Sequence, residues 1–149
     1  MSMNEQKFWS LIELVDIEAL HRGDEELAYV SLIEKLSLMS ISEIESFEEH
    51  LCHRLYSLDG KKWANKSGLS RFSSDGFLYA RCYVVATGEK NYQRVLGNSW
   101  YMPKRTKYWA EGLLSVSASA WSIATGKGEE EFRYCGSVDY ETGSNETQW

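Results

Sequence analysis

Nowhere in the 149 residues does an apolar run reach the roughly 18 residues of a membrane-spanning helix, so no such helix is expected. The opening "MSMNEQKFWSLIELVD" has no basic segment ahead of an apolar core and does not read as a secretory signal. Cysteine is scarce as well. Cys52, Cys82 and Cys135 are odd in number and far apart, which fits neither a disulfide framework nor a zinc site of the Cys-x-x-Cys kind. The expectation is a cytoplasmic protein with reduced thiols that needs no cofactor. The chain also lacks internal repeats, and no linker is long enough to separate two domains. Proline occurs once, at Pro103, ahead of a helix that should begin near Thr106.

Aromatic residues are plentiful instead, at 13% of the chain with six Trp. A chain of this length buries roughly 70% of its unfolded surface and can fold on a single core. Charge is unevenly spread. The net charge is −6, but residues 1–50 carry 12 acids against 3 bases, residues 51–110 carry 11 bases against 3 acids, and residues 111–149 carry 7 acids against 2 bases. Such blocks either steer a partner of opposite sign or pair with one another after folding. The overall acidity weighs against nucleic acid, although "KRTKYW" at 104–109 and Lys61-Lys62 interleave bases with aromatics.

Periodicity points to helices. Phe8, Leu11, Ile12, Val15 and Ala19 predict one helix over 4–21, capped by Asn4 and stopped at His21 to Gly23. Asp24 caps a second, with an apolar stripe of Leu27, Val30 or Ser31, Ile33 or Glu34, and Leu38. In "SISEIESFEEHLCHRLYSLDG", Ser40 with Glu43 has the spacing of a capping box, and Ile44, Phe47, Leu51, Leu55 and Leu58 form one stripe. The short connections predict an antiparallel hairpin array. Trp63 sits on a helical turn at 61–67. A last helix through residue 125 would align Tyr108 or Trp109, Leu113, Val116, Ala120 and Ile123, with Gly126 as its left-handed stop. The fold class is therefore all-α, an array of about five to six helices over 1–126 with an irregular acidic tail at 127–149, packed on it or extending from it.

Catalytic patterns are weak. His50 and His53 lie three apart on one helix, but no third and fourth metal ligands cluster elsewhere. Cys52 and His53 are adjacent and point about 100° apart, which does not suit a nucleophile and its base. "ATGEKN" and "TGKGEE" depart from the phosphate-loop pattern and read as helix ends. In "FSSDGFLYARCYVVATG", Phe72 to Gly88, Ser73 or Ser74 and Asp75 signal a helix start, yet Phe77, Tyr79, Arg81 and Tyr83 also alternate like a strand.

Three stretches resemble a known family: "FWSLIE" at 8–13, "SSDGFLYARCYVVATG" at 73–88 and "LLSVSASAWSIATG" at 113–126. Together they are similar to a bacterial family catalogued as domain of unknown function 4240. Phe8, Trp9, Asp75, Gly76, Phe77, Arg81 and Gly88 match its pattern, whereas Ser74, Ala80 and Tyr83 depart from it. The resemblance implies a mainly helical fold and no established reaction.

The functional expectation is a non-enzymatic interaction protein, most specifically an immunity protein that masks a basic toxin domain. Its candidate partner-facing residues are Asp24, Glu25, Glu26, Glu45, Glu48 and Glu49, together with Trp63 and Arg81. The alternative is a small-ligand-binding regulator built on Asp75 and Arg81. A structural role for Arg81 would instead pair it with the acidic amino-terminal helices.

Overall fold

The computed structural model describes residues 2–68, 74–104 and 109–149. Among them the fold is all-α with no strand. Helix α1 (Glu5–Ile12) starts where Asn4 accepts a hydrogen bond from the Lys7 amide at 2.8 Å, and it buries Phe8, Trp9, Leu11 and Ile12. The single helix expected over 4–21 is broken. Asp16 competes for free backbone N–H groups, accepts from Ala19 N at 3.0 Å, and opens a separate α2 (Ile17–His21). Gly23, at φ +79°, then reverses the chain as expected.

The second expected helix is also divided. Asp24 caps α3 (Glu25–Ala28), but Tyr29 leaves helical geometry as its ring is drawn into the core, and α4 (Val30–Ser37) follows. The Tyr29 hydroxyl donates to Glu25 Oε1 at 3.0 Å, and the same oxygen accepts from Gly112 N at 3.2 Å. These breaks give more and shorter helices than the five to six expected.

Helix α5 (Ile41–Ser57) follows the sequence closely. Ser40 accepts from the Glu43 amide, and Ile44, Phe47, Leu51, Leu55 and Leu58 are all fully buried. Helix α6 (Lys61–Ser67) hides Trp63, whose indole N–H donates to Val95 O at 2.9 Å. Helix α7 (Ser74–Ala86) settles the helix-or-strand ambiguity. It is buried nearly all round, at Phe77, Leu78, Ala80, Arg81, Cys82, Val84, Val85 and Ala86, which is why its sequence shows no clear one-sided stripe. The Ser73 cap and the helix start near Thr106 lie outside the described residues.

Helix α8 (Glu89–Gly97) leads through a 3-10 turn at Ser99–Tyr101 to a second one at Glu111–Ser115, which runs into α9 (Val116–Thr125). A 3-10 turn winds three residues per turn, so a stripe read at helical spacing across both segments loses register. Leu113, Val116 and Ala120 are fully buried, whereas Trp109 and Ile123 face solvent at 43% and 62% exposure. Gly126 closes α9 at φ +75°. The expected hairpin array is closed by this distant element, because α9 packs along both α4 and α5.

Residues 127–149 have little regular structure but are held firmly. Asp59, fully buried at the end of α5, accepts from the amides of Gly143 at 3.1 Å and Asn145 at 2.9 Å and from the Trp149 indole at 3.0 Å. Asn145 Nδ2 donates to Tyr56 O, and Gln148 Nε2 to Ser57 O and Asp59 O, so side chains of the tail bond to carbonyls at and just beyond the end of α5.

Candidate functional site

The eight residues expected to face a partner do not form one surface. Trp63 and Arg81 are buried by their packing, and Glu48 is only 7% exposed. Glu25 is half-buried and holds Tyr29 and Gly112. Asp24 and Glu26 are exposed, and Glu45 is half-buried.

Arg81 has its partner inside the fold. Its guanidinium lies 4.0 Å from Asp59 Oδ1, donates to Leu55 O at 2.8 Å and Thr142 Oγ1 at 3.1 Å, and stacks over Phe77 at 4.8 Å. Burial lowers its pKa, while Asp59 pulls it back up. The acid is therefore Asp59, from the basic middle of the chain, rather than an acid of the amino-terminal helices. Six-residue spacing and block charges gave no sign of it, because the pairing depends on where the end of α5 meets α7. Asp75 remains exposed at the start of α7. An Arg81 with no exposed surface offers no handle for a ligand beside it.

Three surface features among the described residues bear on function. The first is a shallow depression of about 280 Å³ lined by Asp24, Glu26, Leu27 and Val30. Leu27 and Val30 are 46% and 40% exposed, so two aliphatic side chains lie open between two acids. The second is a basic and aromatic surface where Lys66 Nζ lies 3.2 Å from the Trp100 ring centre and the Arg94 guanidinium 3.7 Å from that of Tyr101. Most of "KRTKYW" lies outside the described residues.

The third is a cleft of about 540 Å³ between α5 and the tail, whose walls include Glu48, Cys52 and residues 134–141. At its rim Glu49 accepts from the Tyr134 hydroxyl at 2.6 Å, the Ser137 amide, the Ser137 hydroxyl and His53 Nε2. Desolvation acts to raise the Glu49 carboxyl, but these donors prevail and hold it down at about 2. Serine, histidine and a carboxylate thus meet here, a grouping hidden in the sequence by a separation of 84 residues between His53 and Ser137.

The grouping does not have the geometry of a proton relay. His53 Nε2 lies 2.8 Å from Glu49 Oε1 and 2.9 Å from Ser137 Oγ, so one ring nitrogen serves both neighbours. A relay needs the carboxylate on one nitrogen and the hydroxyl on the other. His50 is engaged separately, with its Nε2 2.8 Å from Met3 O and its ring stacked on Phe8. The two histidines therefore do not converge on a common point.

A family model described as a protein of unknown function, DUF4240, matches residues 3–127. The chain belongs to this family. No curated protein and no solved structure matches it. In this DUF4240 domain the residues of the family pattern are mostly structural: Phe8 packs on Trp9 and Phe47, Phe77 lies under Arg81, and Gly88 turns α7 into α8 at φ +104°. Most of the cleft's wall comes from residues 134–141, which lie beyond the matched segment.

Proposed function

We propose that this DUF4240 domain is a non-enzymatic interaction protein that binds a basic protein partner, in the manner of an immunity protein masking a toxin domain. The observation that carries this reading is the open patch of Leu27 and Val30 flanked by Asp24 and Glu26. An apolar centre with a charged rim is the usual anatomy of a protein interface, and the acidic rim selects a basic partner and speeds its approach. Of the eight expected partner-facing residues, Asp24 and Glu26 are retained as rim, and Leu27 and Val30 are added as centre. The toxin as partner class rests on analogy with other small acidic single-domain proteins. The regulator reading loses its main support with the burial of Arg81.

The test is to produce the full chain with the product of the neighbouring reading frame, purify by a tag on one partner, and measure affinity and relief of toxicity. Leu27→Ser and the pair Asp24→Asn with Glu26→Gln should each weaken the complex by about tenfold or more while leaving the melting temperature nearly unchanged, since Asn still caps α3. If a toxic neighbour forms no complex, or binds these variants as tightly as the parent, the proposal fails.

A further inference from the structure

Cations on one face of this chain rest on aromatic rings rather than on carboxylates. The 3-10 turn Ser99–Tyr101 packs against both α6 and α8. It presents Trp100 at 67% and Tyr101 at 47% exposure, and each ring carries a cation from a different helix, Lys66 of α6 on Trp100 and Arg94 of α8 on Tyr101. Helix α6 has three lysines and no acid, and among the described residues none of Lys61, Lys62, Lys66 and Arg94 has an ion-pair partner. Lys62, one helical turn before Lys66, lines a cavity of about 480 Å³ between α6 and the tail, whose walls also include Lys61, Asn65 and Trp149 and no acid. Trp149 is 38% exposed and its ring is fixed, because the indole N–H donates to Asp59 and the ring meets Phe77 edge-on.

Positive charge without a counter-charge calls for an anion, and exposed rings beside each charge call for one that carries flat apolar groups. Phosphates joined to aromatic bases have both. The bases of a duplex are already stacked and paired, so only a single strand can lay them on protein rings. An anionic lipid surface would favour side chains that enter the acyl region, yet Trp100 and Tyr101 are the only large apolar side chains exposed on α6, α8 and the turn between them and α9, and neither is aliphatic. We infer that this face binds single-stranded nucleic acid, with bases on Trp100, Tyr101 and Trp149 and phosphates on Lys62, Lys66 and Arg94. The acidity of the whole chain does not oppose this locally, since residues 51–110 carry 11 bases against 3 acids. The site shares no residue with the acidic partner surface and stands or falls separately from it.

The probe is a fluorescently labelled oligouridine of about ten nucleotides, a length within the range of such sites. Anisotropy titrations on the full chain at about 50 and about 200 mM salt give affinity and its salt dependence. Three phosphate contacts on a single strand predict a slope of log K against log salt of about −2, so the fourfold rise in salt should weaken binding about fifteenfold. Trp100→Ala should lose about fivefold or more in affinity with the slope unchanged, and Trp100→Phe should restore most of it, which separates stacking from charge. Arg94→Ala, at an exposed position, should reduce the slope by about 0.7, whereas Lys7→Ala, exposed on α1 and equal in charge change, should leave it as it was. Should Trp100→Ala lower the melting temperature, the Arg94→Ala and Lys7→Ala pair carries the test without touching a ring. No binding at about 1 mM protein in the lower salt, equal affinity for a polyglutamate of the same charge, binding only to vesicles of phosphatidylserine and phosphatidylcholine, or equal effects of Arg94→Ala and Lys7→Ala would each overturn the inference.

Discussion

Replacing Asp59 by Asn tests the central structural claim, that one buried carboxylate holds the tail on the helical core. The substitution keeps the size of the side chain but removes its charge, and it turns an amide donor toward a site filled by the Gly143 and Asn145 amides and the Trp149 indole. It also leaves Arg81, with no exposed surface, without its counter-charge. Breaking a buried pair from one side costs about 3–5 kcal/mol. A domain has roughly 5–15 kcal/mol of stability in all, so the variant should remain folded but weakened. With a urea dependence near 2 kcal/mol/M, the unfolding midpoint should fall by about 2 M. Hydrogen exchange supplies the local readout: the Gly143 and Asn145 amides should lose more protection than the amides of α5. Adding Arg81→Met to Asp59→Asn removes the stranded charge, so the double variant should be less destabilised than the two single costs added together. A cost for Asp59→Asn below about 1 kcal/mol, or strict additivity in the pair, would show that the carboxylate does not anchor the tail.

Acid unfolding should respond to Glu49. Its folded pKa, about 2, lies below the ordinary 4.5, so the stability it contributes is present above about 4.5 and is lost as pH falls towards 2; Glu49→Gln should flatten a pH titration of stability across that window. Gly112→Ala places a Cβ 2.6 Å from Tyr29 Cε2 and should cost about 1–3 kcal/mol by denaturation, with a smaller penalty when Tyr29 is replaced by Leu. The thiols should separate by burial. Native protein should react with a thiol reagent promptly at exposed Cys135 alone, since Cys52 and Cys82 are buried and burial pushes the Cys52 thiol up to about 12, and all three should react after denaturation.

The sequence by itself determined the elements whose signals are local. Asn4, Asp24 and Ser40 cap helices because a side-chain oxygen needs only an amide two or three residues on, and the α5 stripe is buried because its spacing leaves one apolar face. The family pattern likewise marked core positions such as Phe8 and Phe77. Competing local signals were harder to weigh: Asp16 ends one helix and starts another, and the turn before α9 shifts its stripe, so Ile123 faces solvent. Only the tertiary structure decided the charges. Glu48, Glu49 and Asp59 look alike as acids in one helical stretch, yet one is a buried and incompletely bonded acid, one a rim carboxylate held ionised, and one the anchor of the tail. What separates them is contact with residues more than 60 positions away, and the free energy of an ionised group depends on the solvent and partners around it, which chain order does not encode.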